Sequence, residues 1–342
     1  MNNSDSKSFR NIYSHIYVEE AALSHPRTRA ILASHPSSEV IQIKDYKHVF
    51  NRPHQASALQ KLAPDLILAV ADKPCLYPGA AVCQSFGEEH FYYTSCVMNC
   101  PFDCEYCYLQ GMYPSGNIVI FVNLEDTFAA VDELLAKHPL YLCISFDTDL
   151  LALEGLTGFL KEWCDFLVTR PSLTVEVRTK SAAMQMISSL PVLDNMIFAI
   201  TMSPKEVVER FEHRVASFSR RLETAKLIAS EHRQLRLCFD PMIAVSDWEQ
   251  AYKTMFCEIA AALPADAIRD VSVGSFRISV DYLKSMRQSR PCEVTTYPYT
   301  LTDGVYHYDD ALMDAMNSLA RNMLSEWLPD SKIFFWEEQQ DE

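Results

Sequence analysis

The sequence predicts an α/β protein built on a partial (β/α)6 TIM-like barrel, with a small N-terminal α/β extension and a C-terminal helix/strand tail. Three observations carry this reading. From Phe91 onward, short runs rich in β-branched and aromatic residues alternate with amphipathic runs of helical period, the pattern of a parallel sheet. The chain has 342 residues, 49% hydrophobic and 22% charged, a globular composition with ample material for a core. Hydroxyl, carboxylate and cationic residues recur just past the strand ends, where such barrels place their chemistry.

In order, IYVEE (16–20) reads as extended, ALSHPRTRAILASH as helical and LILAVA as a buried strand, with loops around Pro53 and from Pro74 to Gly79. The later strand runs are HFYYTS, NIVIFVN (117–123), LYLCISF (140–146), LTVEVRT (173–179), MIFAITM (196–202), LRLCFDPM (235–242) and DVSVGSF (270–276). Helices are expected at about 126–137, 153–168, 181–189, 205–230, 247–263 and 280–289. A helix at 309–327 and the strand KIFFW (332–336) form the tail. The expected units are an extension over 1–89, a barrel over 90–290 and a tail over 291–342, with no internal repeat.

Mean hydropathy is −0.07, and the longest apolar runs (Leu66 to Ala71, Met196 to Met202) are far too short to span a membrane. The opening MNNSDSKSFR has no apolar stretch of the secretory kind. The expectation is a cytoplasmic protein with no membrane partner. Thirty basic against 45 acidic residues leave a net charge of −15, which argues against a protein that lives by non-specific phosphate contacts. Eight glycines, with no GxGxxG and no GxxxxGK[ST], exclude a glycine-rich nucleotide loop.

Eleven cysteines without a secretory leader point to metal binding or chemistry rather than disulfides. Cys164, Cys238 and Cys257 sit in periodic apolar segments and read as core. The run TSCVMNCPFDCEYCYLQ (94–110) differs in kind. Cys100, Cys104 and Cys107 read C-x3-C-x2-C, with Tyr106 and Tyr108 on either side of the last cysteine. A structural zinc site would want a second, separated pair, and none is evident. Three thiolates on one loop hold three irons of a [4Fe–4S] cluster and leave the fourth open. That is the signature of radical S-adenosylmethionine (SAM) enzymes, in which the open iron binds SAM and the protein aims the chemistry. Cys96 is either a fourth thiol near the cluster or a redox-active spare. At the strand ends, Thr148, Asp149, Lys180, Thr201, Ser203 and Arg277 are suited to a nucleoside cofactor or, equally, to caps and turns.

The chain resembles the spore photoproduct lyase family of radical SAM DNA-repair enzymes. CEYCYLQ followed by NIVIFVNLED is similar to that family's CYLQ…VYVNLDD, and IYVEEAALSHP to its IYIEPxALxYP. FEHRVASFSRRLETA resembles its FExxTSSFxxRLxAA helix, and PMIAVSDWEQAY its PIYxxxxWExxY segment. These matches run from residue 16 to about 280 in the family's order.

The resemblance implies a lyase that returns 5-thyminyl-5,6-dihydrothymine in ultraviolet-damaged DNA to two thymines through a 5′-deoxyadenosyl radical. It implies a [4Fe–4S] cluster on Cys100, Cys104 and Cys107, and SAM held by Thr148, Asp149, Lys180 and Thr201. Tyr106 and Tyr108 are implied as hydrogen relays, Arg277 as a contact to the lesion backbone, and a flavodoxin or ferredoxin as electron donor. The family's hydrogen-donor cysteine lies in an A-A-C-T-S-D block, and here Phe146 takes its place in FDTD (146–149). Phenylalanine cannot give up a hydrogen atom. Cys83 is the leading substitute, ahead of Cys75, Cys96 and Cys143; strand alternation turns Cys143 away from the face of Phe146.

A basic face for DNA is expected from Arg277, Lys284, Arg287 and Arg290, with Arg214, Arg220 and Arg221. Reaching a dimer in a duplex requires flipping it out. Two alternatives stand beside this: a radical SAM enzyme of the same ancestry acting on another nucleoside or small molecule, and a non-enzymatic iron or zinc module.

Overall fold

Two largely parallel sheets organise the computed structural model, which describes residues 13–79 and 83–336. The opening segment 1–12, read above as lacking an apolar stretch, lies outside the described residues.

The larger sheet runs, in spatial order, Leu76–Pro78, Phe91–Thr94, Leu140–Cys143, Leu173–Thr179, Met196–Thr201, Gln234–Met242, Ile268–Ser275 and Ile333–Phe335. All neighbours pair in parallel except Leu76–Pro78 with Phe91–Thr94. The six strands from Phe91 to Ser275 are the expected open barrel, and the tail strand extends one edge. From Leu140 onward their apolar side chains are almost all buried, covered by helices such as Phe159–Leu167 and Trp248–Ala262, whereas Phe91–Tyr93 on the first strand are only partly buried.

The strand Ile118–Phe121 is where the structure departs from the sequence reading. It joins the smaller sheet, in the order Glu39–Ile43, His15–Glu19, Leu66–Ala69, Ile118–Phe121, Val97–Met98. Its pairing with Leu66–Ala69 is parallel, and all eight residues of the two strands are buried. An apolar run carries no label for which sheet it joins.

Two expected helices are broken. The 153–168 run divides into Leu150–Thr157 and Phe159–Leu167 at Gly158, whose φ of +67° is open to glycine. The 205–230 run divides into Lys205–Phe211 and Phe218–Ser230 around a two-residue strand, Glu212–His213, that pairs with Asp103–Cys104. A small antiparallel sheet of Arg277–Ser279, Val305–His307 and Thr300–Thr302 was missed by the sequence reading. Its Asp303–Gly304 turn, both residues at positive φ, is the hairpin dipeptide that would have revealed it. Among the described residues, no helix is long and apolar enough to cross a membrane.

Candidate active site

The cysteine loop begins where Phe91–Thr94 ends and is tied down from several sides. Asn99 adopts a left-handed φ of 75°, which asparagine tolerates. Its amide nitrogen donates to the carbonyls of Ser115 (2.7 Å) and Asn117 (3.0 Å). Buried Lys61 donates to Asn99 Oδ1 at 2.6 Å and to the Cys100 carbonyl at 2.7 Å. Cys104 lies in the short pairing with Glu212, and the Cys107 amide donates to the Cys104 carbonyl at 3.1 Å. Arg290 holds Asp103 at 2.7 Å, and Gln110 donates to the Cys104 carbonyl. The following helix, Leu109–Met112, lies so close to Val280–Ser289 that a Cβ on Gly111 would stand 2.3 Å from the Tyr282 carbonyl oxygen.

Above the barrel strands lies a cavity of about 480 Å³. Cys100, Cys104, Cys107, Tyr106, Tyr108, Cys83, Thr148, Asp149, Lys180, Thr201 and Arg277, singled out from the sequence, border it, whereas Ser203 does not. Phe146 borders it as well, stacked on Tyr93 with ring centroids 4.0 Å apart. So does Cys143, contrary to the alternation argument: its strand ends at Cys143, so period two no longer governs Phe146 three residues later. Cys75 and Cys96 do not border the cavity; they are buried, with their thiols hydrogen-bonded to one another. Cys164 and Cys238 are core, whereas Cys257 is exposed, because Phe256 and Ile259 take the inward face of their helix.

The three cysteines fit an iron–sulfur cluster. None is in a disulfide, and burial pushes all three thiols up, with Cys100 at about 12. Lys61 and Lys180 oppose that rise, and their cationic charges suit an anionic cluster. Among the described residues no three Cys, His, Asp or Glu converge as a single-ion site requires. For a nucleoside cofactor the telling observation is Thr148 Oγ1, buried on the cavity wall with no hydrogen-bond partner. Such an orphan is rare without a ligand or water to satisfy it. Asp149 is already engaged: its carboxylate accepts from Thr179 Oγ1 (2.8 Å), the Lys180 amide (2.7 Å) and the Ala152 amide (3.0 Å). It shapes the wall by joining two strand ends.

The two tyrosines of the loop have different surroundings. Tyr106 donates to Glu212, a buried carboxylate that also accepts from Arg221 and from Ser203 Oγ at 2.8 Å. Burial pushes Glu212 up, but Arg221, Lys180 and these hydrogen bonds outweigh it and hold its carboxyl below the usual range. Tyr108 donates to the Phe146 carbonyl at 2.9 Å, with Asp147 Oδ1 at 3.4 Å. Burial does most to raise Tyr93, Tyr108 and Cys143, and all three border the same cavity as Cys83. Three residues after Cys83, Phe86 has its ring centre 3.2 Å from the Arg236 guanidinium and packs on Tyr141 near the strand starts.

Several site residues escaped the sequence reading. Glu176 and Arg178 border the cavity. Glu176 accepts from Tyr141 and from Arg236 (2.5 Å), and Arg236 also pairs with Asp270. Alternate charges within LTVEVRT were the available signal, since period two sends them to one face. Asp240 pairs with Arg277 at 2.9 and 3.2 Å, and the Arg277 guanidinium lies 4.0 Å from the Trp336 ring. The expected basic face is largely engaged internally. Arg221 is fully buried, Arg214 donates to the Lys61 and Leu62 carbonyls, Arg287 to the Thr295 carbonyl, and Arg290 to Asp103; Lys284 is exposed.

The model of the family described as "Spore photoproduct lyase" matches residues 12–336. A spore photoproduct lyase from Geobacillus sp. (strain Y412MC61) is 24% identical over 177 residues, covering 51% of this chain and 52% of that protein. One from Clostridium acetobutylicum is 21% identical over 252 residues, covering 72% and 73%. The match thus spans about half the length of the first relative. Among solved structures, a spore photoproduct lyase complexed with dinucleoside spore photoproduct superposes with a TM-score of 0.80 at 19% identity, covering 95% of this chain and 98% of that one. A mutant form with bound AdoMet and the same dinucleoside gives 0.79 at 20%, with the same coverage. The fold is therefore theirs, and with the family match running through nearly all of the described residues, the chain belongs to the spore photoproduct lyase family.

Proposed function

We propose that this protein is a radical SAM lyase that reverses the spore photoproduct, 5-thyminyl-5,6-dihydrothymine, to two thymines in ultraviolet-damaged DNA. The observation that carries the reading is the single cavity bordered by the three loop cysteines, the orphaned Thr148 hydroxyl and the Cys83 thiol. Family membership supports the same chemistry.

Cys100, Cys104 and Cys107 would hold the [4Fe–4S] cluster, and Thr148, Lys180 and Thr201 would hold SAM, with Asp149 fixing the strand ends between them. When bound, the cluster and SAM supply a 5′-deoxyadenosyl radical, given an electron from a carrier of the flavodoxin or ferredoxin kind. The residues of the chain then exclude water and control where hydrogen atoms go. The Cys83 S–H returns a hydrogen atom to the thymine radical left when the bond between the bases breaks. Tyr108, which borders the same cavity as Cys83, gives its hydroxyl hydrogen atom to the resulting thiyl radical and would recover it from 5′-deoxyadenosine. Tyr106, fixed through Glu212, holds the loop, and Arg277, braced by Asp240, faces the lesion backbone.

Phe146 in the family's donor position, with most of the basic face engaged internally, favours a second reading: the same machinery acting on another nucleoside. Anaerobic turnover of reconstituted protein with SAM, reductant and a synthetic dinucleoside spore photoproduct separates the two. Thymine with 5′-deoxyadenosine supports repair; 5′-deoxyadenosine without thymine supports the other substrate.

A further inference from the structure

Asp147 follows Phe146 in the FDTD block (146–149). Its side chain is buried. It accepts from Ser95 Oγ, from Tyr113 Oη at 2.9 Å and, more distantly, from Tyr108 Oη at 3.4 Å. A buried carboxylate whose partners are three hydroxyls rather than a cation is an expensive group to retain for packing alone. Here two hydroxyls from separate elements fix it, the end of the first barrel strand and the segment after the cysteine loop. Its third contact is Tyr108, which borders the cavity beside Phe146 and Cys83.

The geometry points to Asp147 as a positioning residue for Tyr108. With the strand-borne thiol replaced by phenylalanine, the hydrogen donor moves to the loop at Cys83. The Tyr108 hydroxyl must then be held where a thiol outside the strand can reach it. The single Tyr108 hydroxyl proton goes mainly to the Phe146 carbonyl at 2.9 Å, with Asp147 Oδ1 at 3.4 Å as the longer arm of a shared hydrogen bond, and Ser95 and Tyr113 hold Asp147 in turn. The inference rests on the repair reading above.

The test uses Asp147→Asn, which keeps the shape and removes the charge, alongside Tyr113→Phe, which removes one anchor without touching Tyr108. The first readout needs no turnover: 3-fluorotyrosine placed at position 108, followed by fluorine NMR. The expected result is a shifted resonance in Asp147→Asn and a smaller shift in Tyr113→Phe. The second readout is 5′-deoxyadenosine formed per thymine dinucleoside repaired. Loosening of the Tyr108 hydroxyl should raise it by about threefold in Asp147→Asn. In a double variant with Tyr108→Phe the two effects should not add. An unmoved fluorine resonance, or additive effects on the ratio at normal cluster content, would overturn the assignment. Wild-type protein that makes no thymine would defeat the repair reading, while the fluorine shift would still decide the anchor.

Discussion

The Tyr108 hydroxyl donates to the main-chain carbonyl of Phe146 at 2.9 Å. This bond ties the cysteine loop to the strand end where relatives are expected to carry a donor thiol. The side chain of Phe146 is stacked on Tyr93 there.

The donor assignment is tested by Cys83→Ala. The variant should retain the cluster and still cleave SAM, while thymine formation falls by at least about tenfold, or about 1.4 kcal/mol in barrier. Product analysis by chromatography reads both. Equal loss of 5′-deoxyadenosine and thymine would remove Cys83 from the donor role.

A complementary substitution returns a thiol to the strand end. Phe146→Cys in the Cys83→Ala background should restore thymine formation, because position 146 borders the same cavity as position 83. With solvent-exchanged thiol hydrogens, deuterium should enter the repaired thymine methyl group. Failure to recover repair would show that the two positions do not face the same substrate atom.

Glu212 and Arg221 form a fully buried ion pair beside Tyr106. Glu212→Gln should destabilise the fold by about 3–5 kcal/mol, because it leaves a guanidinium buried without its counter-charge. Denaturant unfolding of cluster-free protein measures this. A change below about 1 kcal/mol would mean that water replaces the partner.

Acid stability should reflect Glu176. Burial pushes its carboxyl up, but Arg178, Arg236 and the Tyr141 hydroxyl hold it down at about 2. An unfolded glutamate titrates near ~4.3. The folded value is the lower one, so this contribution is complete above about pH 5 and is lost as pH falls through ~4.3 toward about 2. Arg236→Met should move the acid-unfolding midpoint, followed by near-ultraviolet circular dichroism, to higher pH.

Gly111→Ala tests the seating of the loop. The added methyl group would meet Tyr282 backbone, which cannot rotate away, so overpacking should cost about 1–3 kcal/mol. Iron content after reconstitution should fall with it.

Much of the site was legible because it is local. The spacing of Cys100, Cys104 and Cys107 is a property of one loop, and Thr148, Lys180, Thr201 and Arg277 follow strands that β-branched runs announce. What was not legible is tertiary. Arg221 reads as one more cation on a helix face until Glu212 is seen opposite it. Glu212 itself lies in a run of helical period, yet its pairing with Cys104 breaks the helix there. Asp147 looks like a turn residue until Ser95 and Tyr113, distant in sequence, supply its hydrogen bonds.

The passage of Ile118–Phe121 into the smaller sheet means that the chain starts the barrel, steps back to complete the sheet it had left, and only then resumes. The three loop cysteines lie between two neighbouring strands of that sheet, Val97–Met98 and Ile118–Phe121. Opening of the smaller sheet should therefore pull on the loop, and amide exchange should find Val97–Met98, Ile118–Phe121 and Leu66–Ala69 exchanging as one cooperative unit. A fragment ending at residue 89 would lack the partner of Leu66–Ala69, leaving a fully apolar strand edge free to seek another chain.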